Sequence, residues 1–112
     1  MKIFWTILLC SILFFSGCAT IKSQQIIRQE YVNTHPQLSE KFKQAILKGA
    51  LIIGMSKSDV IAIMGEEPSN DGKHITVTQY GIHEQWVYDF LIGQPTYYIY
   101  FDNDKLTAIQ KN

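Results

Sequence analysis

The side chains that could do chemistry are few and lie far apart along this sequence. Its three histidines, His35, His74 and His83, lack the His-x-x-x-His spacing that brings two imidazoles onto one zinc ion. Ser56 has Asp59 nearby, but no Gly-x-Ser-x-Gly sequence surrounds it, and helix capping accounts for both residues. We therefore predict that the protein is not an enzyme and that it holds no metal ion and no noncovalent cofactor.

One thiol carries a specific chemical signal. Cys18 follows the small residues Ser16 and Gly17, and an almost unbroken apolar run over residues 3–15 precedes them, behind the positive charge of Lys2. A short basic start, an apolar run and small residues are typical of a bacterial export signal. The run is shorter than the roughly 20 apolar residues that cross a bilayer, so we expect it to be removed rather than kept.

The segment Phe15-Ser16-Gly17-Cys18 resembles the bacterial lipobox, in which a leucine, a small residue and a glycine or alanine precede the acylated cysteine. Phe15 stands in the place of the leucine. The resemblance implies that Cys18 is a lipid attachment site, bearing a diacylglyceryl group and an amide-linked acyl chain that anchor the protein to a membrane. Two alternatives stay open: an ordinary signal peptidase cuts near Gly17 or Ala19, or the signal remains uncleaved as an anchor.

Composition limits the rest of the chain to one small domain. The chain has 112 residues, of which the first 17 would leave with the signal, and its formal net charge is zero. No basic surface charge points to a nucleic acid partner. Cys10 lies within the apolar run and Cys18 would be acylated, so we expect a domain without a disulfide.

The sequence divides into a lipoprotein signal peptide at residues 1–17, a lipidated N-terminus and tether at residues 18–33, and a folded domain at residues 34–112. Residues 19–33 are interpreted as a tether, with a frayed helical turn as the one regular structure it could contain, because they mix polar and apolar side chains without a strong period. Ala19 occupies the position where, in enterobacteria, an aspartate favours the inner membrane. We therefore expect the periplasmic face of the outer membrane of a Gram-negative bacterium.

An apolar stripe predicts the first helix of the folded domain. Thr34 is a candidate N-cap, Pro36 fits the first turn, and the stripe continues over about 36–48 until Gly49 ends it. This segment is therefore expected to be an amphipathic helix that packs one face on a core.

A second helix is predicted after a short apolar link. Ser56 and Asp59 have the spacing of a capping box, and Gly65 follows the last apolar residue of the run. A helix of about two turns is not stable alone, so it must pack on another element.

The second half of the chain alternates apolar and polar residues in short runs, as strands do. We expect a short strand near 75–78, others over 84–90 and 96–101, and a tight turn at 102–104 leading into 105–109. Connections this short allow only antiparallel neighbours. The sequence therefore predicts an α+β fold, ααβββ, with two N-terminal helices packed on a three- to four-stranded antiparallel meander.

Several segments are similar to the SmpA/OmlA (BamE-like) family of small outer-membrane lipoproteins. The resemblance covers roughly residues 38–109 and is carried by Gly54-Met55-Ser56-Lys57-Ser58-Asp59-Val60 with Gly65 and Pro68 behind it, Gln85-Trp86-Val87-Tyr88, Tyr100-Phe101 and Lys105-Leu106. It implies a BamE-like fold, similar to that of β-lactamase inhibitor proteins. It also implies partners among envelope proteins, including the machinery that assembles β-barrels in the outer membrane.

The aromatic strands are the best candidates for a binding surface. Side chains alternate between the two faces of a strand, and two short helices can cover only one face. We expect the core to contain Trp86, Tyr88, Ile99 and Phe101. Tyr98 and Tyr100 would then lie on the open face, where tyrosine offers a protein partner apolar area and a hydroxyl. The alternative is an ordinary hydrated sheet face.

Two functions fit these features. The first is a non-enzymatic, membrane-anchored interaction module that supports outer-membrane protein assembly or envelope integrity. The second is a periplasmic inhibitor-like or ligand-binding module of similar fold. Co-purification with a barrel-assembly complex would favour the first, and tight association with one soluble periplasmic enzyme would favour the second.

Overall fold

The computed structural model describes residues 23–89 and 93–112. The expected signal peptide and Cys18 lie outside these residues, as does Phe90 at the end of a predicted strand. No helix in the described part of the chain is both long and apolar enough to cross a membrane.

The first helix, α1, spans Gln24–Thr34, within the segment expected to be a tether. The Ser23 hydroxyl caps it by accepting a hydrogen bond from the Ile26 N–H. No residue of α1 is fully buried, although Tyr31 and Val32 pack against the core. The tether interpretation is therefore wrong for residues 24–33, because contacts with distant residues stabilise a helix that has no strong apolar stripe.

The second helix, α2, spans Glu40–Lys48 and is shorter than the predicted 36–48. Its N-cap is Ser39, whose hydroxyl accepts from the Phe42 N–H, and not Thr34. The Thr34 hydroxyl instead donates to backbone carbonyls at the end of α1. The predicted end at Gly49 is confirmed, with φ of 76° in the left-handed region.

The third helix, α3, spans Lys57–Met64 and confirms the predicted capping box. The Asp59 N–H donates to the Ser56 hydroxyl at 3.2 Å, and the Ser56 N–H donates to the Asp59 carboxylate at 3.1 Å. Gly65 ends the helix with φ of 91°. These local contacts fix the start and the end of α3.

After a short 3₁₀ turn, Asn70–Gly72, four antiparallel strands follow in the order β1-β2-β3-β4. They are β1 Lys73–Thr78, β2 Gly81–Tyr88, β3 Tyr97–Asp102 and β4 Lys105–Lys111. The tight turn between β3 and β4 has Asn103 and Asp104 at positive φ, as a two-residue hairpin turn of type I′ requires. The α+β meander prediction is thus confirmed at the level of helices on an antiparallel sheet, with three helices in the described residues instead of two.

The core lies between the helices and one face of the sheet. Its fully buried large side chains come from every layer and include Ile46, Met55, Val60, Trp86, Ile99, Phe101 and Leu106. The prediction that Trp86, Tyr88, Ile99 and Phe101 are core residues is confirmed.

Candidate interaction surfaces

The face of the sheet that points away from the helices forms the first candidate surface, which we call the open face. It carries the strand residues that alternate with the buried ones, among them Gln85, Val87, Tyr98 and Tyr100. Tyr98 and Tyr100 are half-buried, so neighbours within the sheet shield part of each ring. The structure therefore brings the two predicted tyrosines onto one face, on adjacent alternate positions of β3.

The two tyrosines differ in what their hydroxyls do. The Tyr100 hydroxyl accepts from the Gln85 amide at 3.1 Å and donates to the Gln110 amide oxygen at 3.3 Å, so it links β2, β3 and β4. Among the described residues the Tyr98 hydroxyl has no hydrogen-bond partner, and it remains open to solvent. Tyr98 is therefore the one whose hydroxyl is available to a binding partner.

A row of three polar side chains at the β1–β2 end of this face was not expected from the sequence. His83 Nδ1 lies 2.6 Å from an Asp102 carboxylate oxygen, and His83 Nε2 lies 3.2 Å from the Thr78 hydroxyl. The order carboxylate, imidazole, hydroxyl is that of a nucleophilic triad. Only the strand register, which sets His83 opposite Asp102, brings them together. No sequence spacing could have revealed it.

We assign this row a structural role. The Thr78 hydroxyl also accepts from the Tyr80 N–H at 3.2 Å, so it stabilises the turn between β1 and β2. His83 and Asp102 remain open to water, whereas triad chemistry depends on donors and dipoles fixed in a water-excluded site. The row fastens the β1–β2 hairpin to β3. The other histidines lie elsewhere: His35 stacks on Tyr31, and His74 is exposed on β1.

A buried carboxylate joins the start of α3 to the sheet. Glu84 accepts from the Lys57 ammonium and from the Trp86 indole, each at 2.6 Å. Burial alone would raise the pKa of Glu84, but these hydrogen bonds and the charge of Lys57 outweigh it and hold the pKa below its ordinary value. Every oxygen of this carboxylate already has a partner, so we assign it a structural role.

Helix α1 is attached to α3 by polar contacts. The Tyr31 hydroxyl donates a short hydrogen bond to the buried Asp59 carboxylate of the capping box. Burial, together with this hydrogen bond, raises the pKa of Tyr31. Towards the other end of α1, Arg28 donates to the Ile63 carbonyl at 2.8 Å, near the negative end of the α3 dipole. The helix nearest the expected lipid site is thus part of the folded domain.

The second candidate surface is an apolar patch on the first hairpin, which we call the hairpin patch. It consists of Ile75, Val77, Tyr80 and Ile82, of which the first three are 61%, 73% and 80% exposed. Ile75 lies opposite Glu84 and Val77 opposite Ile82, so these side chains point to the helix side of the sheet. They remain exposed there because the helices do not reach over β1. Clustered exposed apolar side chains are typical of binding surfaces. The alternation of residues in the sequence predicts the strand but not that the strand lies beyond the reach of the helices.

Within residues 23–89 and 93–112, no three acidic, histidine or cysteine side chains converge as a metal ion would require. Comparison with protein-family models, with curated proteins and with solved structures finds no match to this chain. The SmpA/OmlA resemblance therefore stays a prediction.

Proposed function

We propose that this chain is a lipid-anchored envelope protein that works by binding other proteins through the open face of its sheet. In this proposal Cys18 carries the lipid and the domain supports outer-membrane protein assembly or envelope integrity on the periplasmic face of the outer membrane. The lipobox-like segment Phe15-Ser16-Gly17-Cys18 and the SmpA/OmlA-like segment around Gly54-Met55-Ser56 support it.

The observation that carries the binding role is Tyr98. Its ring stands on a sheet face that the helices leave uncovered, and its hydroxyl has no partner among the described residues. Tyrosine in such a position contributes apolar area and one hydrogen bond at low entropic cost. Val87 lies directly opposite Tyr98 and Gln110 flanks it on β4, so the centre of the face is uncharged. An uncharged, partly apolar centre is typical of protein interfaces.

The position of α1 supports presentation of this face to a partner. Ser23, five residues after Cys18, begins α1 on the helix side of the domain. Five extended residues span roughly 17 Å, so an anchored domain would stay close to its membrane. Because the helices pack on the opposite face of the sheet from Tyr98, the open face is turned away from the anchored side.

Lipid attachment is tested by metabolic labelling with a palmitate analogue. The parent chain should be labelled and recovered with membranes, and Cys18→Ser should lose both the label and the membrane recovery. A parent chain that stays unlabelled and is recovered from the soluble cytoplasm would refute the anchor.

Binding is tested by affinity capture from gently solubilised membranes with Tyr98→Ser. The comparison variant is Tyr80→Ser, which makes the same change at an 80% exposed tyrosine of the hairpin patch and so separates the two candidate surfaces. We expect Tyr98→Ser to lose barrel-assembly or other outer-membrane proteins that the parent and the comparison variant retain. Equal capture by all three would exclude the open face, and capture of one soluble periplasmic enzyme would favour an inhibitor-like module.

A further inference from the structure

The two edges of the sheet are protected very differently. At β4 the chain before α3 lies against the strand: the Gly54 N–H donates to the Leu106 carbonyl, and the Leu106 N–H donates to the Met55 carbonyl, both at 2.8 Å. A bridge between Ser56 and Lys105 extends this cover. In the described part of the chain no strand lies on the outer side of β1. The first residues of β4 are thus covered, whereas β1 is bare along its length in the described part of the chain and is available for pairing.

Strand β1 also lacks the devices that normally prevent edge pairing. Natural edge strands carry inward-pointing charges, prolines or bulges. Its only lysine, Lys73, is paired with Glu67 and lies over the Trp86 ring. Residues 74–78 carry neither a lysine nor a carboxylate, and their pairing with β2 is regular, without a bulge. The exposed backbone of β1 can therefore accept another strand.

We propose that two copies of this chain pair through β1, antiparallel about a two-fold axis at Thr76, and so join their four-stranded sheets into one of eight strands. A two-fold axis perpendicular to the sheet sets helix-side residues opposite helix-side residues. Centred on Thr76, it places Ile75 of each copy opposite Val77 of the other. Cross-strand aliphatic and Thr–Thr pairs both stabilise antiparallel sheets.

This register is selected by the side chains of β1. Centring the axis on Ile75 would place Lys73 opposite Val77 of the second copy. Centring it on Val77 would place Ile75 opposite Gln79. Only the axis at Thr76 pairs both exposed aliphatic residues with aliphatic residues. The hairpin patches of the two copies then meet and become one continuous apolar strip.

The symmetry also fits a membrane-attached protein. The axis leaves both helical layers, and both α1 helices that begin after Ser23, on the same side of the joined sheet. Both open faces, each with its Tyr98, lie on the other side. The pairing depends on β1 alone and not on lipid at Cys18, so the test of the dimer and the test of the lipid anchor can give different outcomes.

A single strand pair forms a small interface. Stable complexes in dilute solution generally bury about 1,200 Å² or more, which exceeds what one six-residue strand offers. We therefore expect a rapidly exchanging dimer, and a covalent trap at the axis is the suitable measurement. Opposed residues of antiparallel strands have Cα atoms about 4.5–5.5 Å apart, within the range that a disulfide spans.

The test is mild oxidation of the full-length chain carrying Thr76→Cys, read on a non-reducing gel. The matched control is Thr107→Cys, the same change at an exposed position of the other edge strand, β4. The parent chain controls for disulfides through Cys10 or Cys18. We expect a covalent dimer with Thr76→Cys well above both controls. Adding Val77→Lys should reduce the amount of covalent dimer about tenfold, because the two-fold axis creates two equivalent Ile75–Val77 pairs and the substitution removes both.

Val77 is 73% exposed, so Val77→Lys should leave the fold intact, which circular dichroism verifies. Crosslinking of Thr76→Cys that does not exceed that of Thr107→Cys would overturn the proposal. Crosslinking of Thr76→Cys only to a different polypeptide would also overturn it, since the edge would then receive a strand from another protein. Crosslinking that Val77→Lys leaves unchanged would refute the register.

Discussion

Lys57 Nζ lies 2.6 Å from one oxygen of the buried Glu84 carboxylate, whose other oxygen accepts from the Trp86 indole at the same distance. The pair connects the first residue of α3 to the middle of β2. Because Lys57 is partly exposed while Glu84 is buried, the cation keeps some hydration and the carboxylate depends on its two donors. This contact ties the start of α3 to the sheet.

The first prediction concerns pH. Glu84 has a pKa below its ordinary value of 4.5, so its stabilising contribution is complete above that pH and is lost as the pH falls through the lowered pKa. In Glu84→Gln this contribution is absent, and we expect the free energy of unfolding at neutral pH to fall by about 1–3 kcal/mol. The difference between parent and variant should shrink in acid. Urea titrations at several pH values measure it, and a constant difference down to acid pH would contradict the assignment.

A second prediction isolates the contact between α1 and α3. Tyr31→Phe removes the hydroxyl that donates to Asp59 and should cost about 1–2 kcal/mol, because the buried carboxylate loses a donor. Amide hydrogen exchange should accelerate in Gln24–Thr34 more than in the sheet. Tyr80→Phe, the same change at an exposed turn residue, should alter neither quantity. Unchanged exchange in α1 would mean that other contacts hold this helix.

The third prediction separates the two tyrosines of the open face. Tyr100→Phe breaks the link to Gln85 and Gln110 and should lower the free energy of unfolding by about 0.5–1 kcal/mol. Tyr98→Phe removes a hydroxyl without a partner among the described residues and should leave stability unchanged while weakening partner capture. Chemical denaturation compares the pair. Equal destabilisation by both changes would show that the Tyr98 hydroxyl is used within the fold.

A fourth prediction tests the contact between the two hairpin turns. Gly81 has φ of 129°, and a Cβ there would lie 2.4 Å from the Asn103 side-chain oxygen, which accepts from the Ile82 N–H at 2.9 Å. Gly81→Ala should therefore cost about 1–3 kcal/mol through backbone strain and loss of this hydrogen bond. Thermal unfolding measures the cost. Gly93→Ala makes the same change at φ of 88° with nothing within 4 Å of the new Cβ, so it should shift the midpoint less, and an equal shift would assign the cost to backbone strain alone.

The sequence alone was sufficient to predict those helix ends and turns that depend on residues close together along the chain. The capping box of Ser56 and Asp59, the helix end at Gly49 and the turn after Asp102 each involve groups a few residues apart. The two-residue period of the strands likewise identified the aromatic core residues. These features follow from backbone geometry and need no knowledge of distant contacts.

Tertiary structure decided the features whose stabilising contacts come from far along the chain. Helix α1 forms because Arg28 and Tyr31 bond to α3, more than 25 residues away, although its own sequence has no strong apolar stripe. The strand register alone brings His83 next to Asp102. It also places Gln85 and Gln110 within hydrogen-bond distance of the Tyr100 hydroxyl, whereas the Tyr98 hydroxyl has no partner among the described residues. The same holds for the hairpin patch, since only the placement of the helices determines which strand they leave uncovered.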